Sequence, residues 1–266
     1  MNPHVDHIRI TCIGGPTALL ELDALRLLTD PTFDPAGTSY PTPYYTLHKL
    51  TGPAIAPDQL RKIDAVLLSH DHHFDNLDLA GRAVSRGVPR VFTTRAGAER
   101  LGNGATGLAP GEQQTLVAPD GRKLLITATP ARHGPVDGDR GPVIGFILRW
   151  KDSPKAVLYV SGDTVWYDGV AGTVAREPVR IALLFAGAAR VAAVGPDHLT
   201  FTADELVQVA RARPEALIVP LHIEGWEHFS ESRSEVVAAF AAAGLTDRLR
   251  LLDRGETITL PFSRGL

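Results

Sequence analysis

The stretch Val66-Leu67-Leu68-Ser69-His70-Asp71-His72-His73-Phe74-Asp75-Asn76-Leu77-Asp78 places three histidines and three aspartates directly behind an apolar run. Residues 65–68 read as a short buried strand and residues 77–84 follow a helical pattern. The polar cluster therefore falls on a strand-to-helix loop. Imidazoles and carboxylates gathered at such a place usually share a divalent cation. The plainer alternative is a polar loop in which one histidine caps the helix and the others face water.

Three more strands repeat the arrangement. His133 follows the strand-like residues 126–129, Asp163 follows residues 156–161 and His222 follows residues 216–220. A single histidine after a strand is more often a hydrogen-bonded core residue. Four apolar strands, each delivering an imidazole or carboxylate at the same end, argue for one common site. Within the first loop Asp71, His73 and Asp75 alternate, which in an extended backbone would turn their side chains to one side.

Working outward, residues 7–13, 17–22 and 25–29 are strand-like and separated by Gly14-Gly15-Pro16 and Asp23-Ala24, an antiparallel meander. Residues 36–57 are rich in Pro and Gly and carry Tyr40, Tyr44, Tyr45 and His48, so they form either a binding loop or a surface excursion. A short helix is expected at residues 57–62, then a helix at 77–86, a strand at 90–93 and a helix from about 95. Strands follow at 114–117, 123–129, 143–150 and 156–161. The last third alternates: strand 181–185, helix 202–212, strand 216–220, helix 233–243, and strands at 249–252 and 257–260. The second half thus broadly repeats the first, with no linker between them. The expected architecture is α/β, a four-layer αβ/βα sandwich of two mixed sheets with helices outside, as one domain over residues 1–266.

The 266 residues are 44% hydrophobic and 21% charged, an ordinary globular balance with enough apolar mass for a large core. A net charge of -3 argues against nucleic acid as a partner. The lone cysteine, Cys12, excludes an internal disulfide and a cysteine-rich zinc site. No apolar run suits a membrane span and the first residues do not look like a secretion signal, so a cytoplasmic location is expected. A small-molecule substrate is the expected partner, and a homo-oligomer is compatible with the sequence.

With these residues in view, the chain resembles the metallo-β-lactamase-fold hydrolase superfamily, whose signature is His-x-His-x-Asp-His after a strand. The similarity runs from about Ile10 to His222 and includes Asp30-Pro31. The nearest pattern is that of the L-ascorbate-6-phosphate lactonase and N-acyl-phosphatidylethanolamine phospholipase D branch, Ser-His-x-His-Tyr-Asp-His-Leu-Asp. Aligning on Phe74-Asp75-Asn76-Leu77-Asp78 puts Asp71 and His73 at the two histidine positions, Asp75 at the aspartate and Asn76 at the last histidine. A rival register starts at His70 and His72. On the first register the resemblance implies one metal site of Asp71, His73 and His133 and a second of Asp75, Asn76 and His222, with Asp163 bridging. His70 becomes a supporting hydrogen-bond partner and His72 a non-ligand.

The resemblance further implies a dinuclear metal site, with zinc the default and manganese or iron(II) favoured by the added oxygen donors. A water or hydroxide between the cations would attack a small ester, lactone or phosphoester, with Asp75 orienting it. His198 would contact substrate or donate a proton. Trp166 and Tyr167 would wall the pocket or pack the core, and Arg140 or Arg132 would meet an anionic group or make a surface ion pair. His4, His7, His48 and His228 carry no expected role. Two other functions fit the same residues: a dinuclear-iron redox protein and a non-catalytic metal-binding module.

Overall fold

The computed structural model describes residues 5–102, 104–138 and 140–263; His4 lies outside them. Strands β1 (Val5–Gly14), β2 (Thr17–Leu22) and β3 (Leu25–Thr29) form the expected antiparallel meander. A hairpin of β4 (Ser39–Pro41) and β5 (Thr46–His48) follows. Then come β6 (Ala65–Leu67), α1 (Leu79–Arg86), β7 (Val91–Thr94), α2 (Arg95–Leu101) and β8 (Thr106–Leu108). A second meander comprises β9 (Gln113–Val117), β10 (Lys123–Pro130), β11 (Ile144–Trp150) and β12 (Leu158–Val160). The chain ends with α3 (Asp168–Arg176), β13 (Ile181–Phe185), α4 (Ala203–Ala212), β14 (Leu217–Leu221), α5 (Arg233–Ala242) and β15 (Thr257–Ser263).

Two main sheets result, ordered β15-β1-β2-β3-β6-β7-β8 and β14-β13-β12-β11-β10-β9. Each is antiparallel on one side and parallel on the other: β3, β6, β7 and β8 run parallel in the first, β12, β13 and β14 in the second. In open parallel sheets, ligands gather beyond the carboxyl ends of the strands. That is where β6, β12 and β14 deliver the polar residues read from the sequence.

Side-chain alternation explains the layers. In β13, Ile181, Leu183 and Phe185 point into the space between the sheets, while Ala182 and Leu184 point to the helices. The inner core joins Ile8, Leu20 and Leu27 of one sheet to Ile126, Phe146 and Val219 of the other. Outside the second sheet, α3, α4 and α5 cover it with Val170, Leu206, Val236 and Phe240. Outside the first, Val84 and Leu101 pack on Leu28 and Val66. Helix, sheet, sheet, helix is the four-layer sandwich that the sequence predicts.

Several local expectations are corrected. Residues 249–252 make only a bridge from Leu249 to Ile218, and Pro57–Gln59 is a single 3-10 turn. Helix α1 starts at Leu79 because Asp78 caps it, accepting from Gly81 N. Helix α3 was not expected, since Gly169 and Gly172 lower its intrinsic propensity; burial of Val170 and Val174 holds it in place. Cys12 is a free thiol buried in β1, and burial pushes its pKa up to about 12. Among the described residues no helix is long and apolar enough to cross a membrane.

Candidate metal centre

Beyond β6 the chain does not stay extended. Leu77 N donates to His73 O at 3.0 Å and Asn76 N to the same oxygen at 3.3 Å, coiling the loop into a turn. Before that turn the chain bends through residues 71–73, which brings residues 70 and 73 to one side. His70 Nε2 accordingly lies 3.0 Å from His73 Nδ1, and His73 Nδ1 lies 3.2 Å from His133 Nε2, which arrives from the end of β10. His133 Nε2 is 3.6 Å from Asp163 Oδ2. On the far side, Asp163 Oδ1 is 3.7 Å from His222 Nε2, which is 3.5 Å from Asp75 Oδ2. His228 Nε2 reaches that oxygen at 3.1 Å. Groups of donors spaced closely enough to share a cation include His70 with His133 and Asp163, and Asp75 with Asp163 and His222.

Of the residues singled out in the sequence, His73, Asp75, His133, Asp163 and His222 are brought together. Asp71 is not. Its carboxylate turns the other way and takes a bidentate pair from Arg100, with Nε at 2.9 Å from Oδ2 and Nη2 on Oδ1. Its place in the cluster is filled by His70. Aligning the family pattern on Phe74-Asp75-Asn76-Leu77-Asp78 selected Asp71, whereas the bent loop pairs residues 70 and 73. Asn76 donates Nδ2 to Asp30 at 2.9 Å and leaves Oδ1 buried without a partner. His228, to which no role was assigned, occupies the fourth place around Asp75. No motif spacing marks it.

The remaining candidates sort by contact. His72 Nε2 bonds the backbone oxygen of Arg140 at 2.7 Å and so anchors the loop that follows His133. Arg140 itself stands close enough for its charge to act on His73 and on Tyr45. His198 pairs with Glu205 at 3.1 Å, outside the cluster, while its neighbour Leu199 offers the carbonyl that receives His133 Nδ1 at 2.8 Å. Trp166 and Tyr167 pack against the apolar cluster beneath α3 to α5, and Arg132 stacks over the Tyr167 ring at 4.5 Å.

The support behind the rings is equally specific. Asp30, fully buried at the end of β3, accepts from Ser69 N at 2.7 Å and from Ser69 Oγ. The single hydroxyl proton of Ser69 is committed to Asp30, so Ser69 Oγ accepts from His70 Nδ1 at 2.9 Å. That leaves the lone pair of His70 on Nε2, facing the cluster. The carbonyl of Leu199 does the same for His133. Outer hydrogen bonds of this kind fix the tautomer and orientation of ligand imidazoles. Gly162, with φ of 62°, keeps Asp163 close: a Cβ there would stand 2.7 Å from both Ile144 O and Ser69 Cβ. His222 has φ of 57°, an uncommon left-handed conformation at the end of β14.

One further device seats the loop. Asp78 is fully buried and accepts from Phe33 N, Asp34 N, Gly81 N and Lys49 Nζ at 2.7 to 2.8 Å. Asp34 in turn accepts from Tyr40 Oη at 2.6 Å and from Leu79 N and Ala80 N at 3.1 Å. The irregular segment after β3 is thus tied to the start of α1, and Lys49 lies over the Trp226 ring at 5.2 Å. Residues 36–57 are therefore tied down at Tyr40 and Lys49, which goes against a free surface excursion.

Protonation follows from this burial. Burial, then the neighbouring His73 and His133 rings, holds His70 well below its ordinary value; burial and His133 do the same to His73. Burial, opposed by the Leu199 carbonyl, brings His133 down to about 4. Burial works to raise Asp75, yet the His222 and His228 rings beside it hold it well below the usual range. Asp163 goes the other way: burial, then the charges of Asp75 and Asp30, push it well above. Both Asp163 oxygens, both His222 nitrogens and His228 Nδ1 are buried with no hydrogen-bond partner among the described residues. Buried polar atoms without partners are expensive. Neutral imidazoles and carboxylates converging on one point satisfy that need through a cation, so the donor set fits one.

Comparison with known proteins agrees. Residues 25–223 match the family described as the beta-lactamase superfamily domain. The chain belongs to that superfamily. It is 26% identical to the UPF0173 protein YddR of Bacillus subtilis (strain 168) over 265 residues, covering 95% of this chain and 100% of YddR. The fold is similar to that of an isothiocyanate hydrolase from Delia radicum gut bacteria, with TM-score 0.81, 24% identity and 96% and 100% of the two chains covered. It is also similar to a possible metal-dependent hydrolase from Veillonella parvula DSM 2008, with TM-score 0.79, 20% identity and 95% and 99% covered.

Proposed function

We propose that the protein is a metal-dependent hydrolase acting on a small ester, lactone or phosphoester. The observation that carries this reading is the row of donors running from His70 through Asp163 to His222, in which the Asp163 oxygens and His222 nitrogens are buried with no hydrogen-bond partner among the described residues. His70, His73 and His133 would hold one divalent cation and Asp75, His222 and His228 a second, with Asp163 shared between them. Zinc is favoured by the imidazoles, and manganese or iron by the carboxylates. When bound, such cations supply Lewis acidity, which lowers the pKa of water and polarises a carbonyl or phosphoryl oxygen.

The chain's own residues do the rest. Asp75, held ionised beside His222 and His228, would orient an attacking water and accept its proton. Ser69 and the Leu199 carbonyl keep His70 and His133 from turning. Arg140, whose charge reaches His73 and Tyr45, would receive an anionic group of the substrate. Tyr45 and Phe74, packed with Phe229 and Trp226, exclude water from one side.

The test is elemental analysis of the purified protein, followed by turnover of carboxylic esters, lactones, phosphomonoesters and phosphodiesters. An isothiocyanate belongs in the same panel, since it too presents an electrophilic carbon to water. Bound first-row metal, with hydrolysis of one class lost on chelation and restored by metal, is expected. Protein that takes up no such metal ends this reading.

A further inference from the structure

Behind the metal loop, on the outer face of the first sheet, lies a separate cleft of about 480 Å³ including its open mouth. Its walls are the last turns of α1 and α2. The guanidinium groups of Arg82, Arg86 and Arg100 line it, and Val91, Leu101 and Ala105 contribute apolar surface. Such a concentration of cations is unusual for a chain whose net charge is -3.

The positive charge there is only partly matched. Arg100 is committed to the Asp71 carboxylate, with Glu99 adding a weaker attraction. Arg82 spends Nη2 on the backbone oxygen of Asp71, a neutral acceptor. Arg86 is exposed and has no acidic partner among the described residues. Burial, reinforced by the charges of Arg100 and Arg86 and opposed by Asp71, makes Arg82 less basic than usual. Like charges crowded beside an apolar wall are relieved by an anion, and arginine forks suit phosphate oxygens.

We propose that this cleft binds a small aromatic phosphate, with the phosphate group between Arg82, Arg86 and Arg100 and the ring on Val91, Leu101 and Ala105. The site lies on the opposite side of Asp71 from the histidine cluster and does not depend on the metal chemistry. Arg86 is the residue to change, because Arg82 and Arg100 also hold the metal loop.

Phenylphosphonate, which no phosphatase activity can cleave, is the probe. It is titrated by calorimetry into the metal-loaded protein, the R86E and R86A variants and D163A, all checked for folding by thermal melting. Saturable binding in the unmodified protein and in D163A, weakened at least tenfold in R86E and less in R86A, is expected. Methylphosphonate should bind several-fold more weakly than phenylphosphonate. The proposal is overturned if no saturable binding occurs, or if both Arg86 variants bind as the unmodified protein does. Loss of binding in D163A overturns it too, by placing the probe at the metal centre. Equal affinity for the two phosphonates overturns the placement of the ring.

Discussion

On one side of Asp163 stand His70, His73 and His133; on the other stand Asp75, His222 and His228. The first group has no carboxylate of its own, and two of its rings are anchored from behind, His70 by Ser69 and Asp30 and His133 by the Leu199 carbonyl. The second group contains the ionised Asp75, but His222 Nδ1 and His228 Nδ1 have no hydrogen-bond partner among the described residues. If each group holds a cation as proposed, one seat would be defined by orientation and the other by charge. The first should discriminate between metals by geometry, and the second should take a wider range of divalent ions.

The largest expected effect removes what the seats share. D163A should lose nearly all bound metal and lower turnover about 10³-fold or more; elemental analysis with kinetics reads both. If the protein keeps a full complement of metal, Asp163 is not the bridge. Separating the seats comes next. H133A and H228A should each leave about one equivalent of metal instead of two, the retained ion being more tightly bound in H228A. Equal metal content in H228A and the unmodified protein would reduce that seat to Asp75, Asp163 and His222.

A smaller effect probes anchoring. S69A frees His70 Nδ1 and should weaken the imidazole seat about 10- to 100-fold while leaving the other almost unchanged; competition against a chromophoric chelator measures it. Equal weakening of both seats would break the contrast drawn here. The smallest effect is the pH dependence. Because Asp163 is raised and the rings are lowered, the proton that an entering metal displaces is expected to come from Asp163 and not from a histidine. Affinity should therefore rise with pH, by at most about tenfold per unit for one proton. Calorimetry in buffers of different ionisation enthalpy reads the proton release directly; affinity independent of pH would contradict the sign.

Much of this was legible in the order of residues. Apolar runs ending in His133, Asp163 and His222 identify strands and a site together, because parallel strands must present their carboxyl ends on one edge. The loop after β6 was read less well. Its fit to the family pattern is displaced by one residue, and nothing in Asp71-His72-His73 says whether the backbone runs straight or coils. The bend through residues 71–73 decides that, and it is a tertiary outcome. His228 was missed for a related reason: it reaches Asp75 from a loop beyond the last ligand strand, where no periodicity operates. Lys49 belongs to no motif in the sequence, yet it is buried against Asp78 and Trp226.

The buried thiol of Cys12 has a practical consequence. Held up at about 12 on the strand between β2 and β15, it stays protonated and shielded while the fold is intact. An alkylating reagent can then reach it only after that part of the sheet opens, so the rate at which a single mass adduct accumulates becomes a clock for opening. With no other cysteine in the chain to confuse the count, the same clock run with and without added metal would measure how far cation binding slows the separation of those strands.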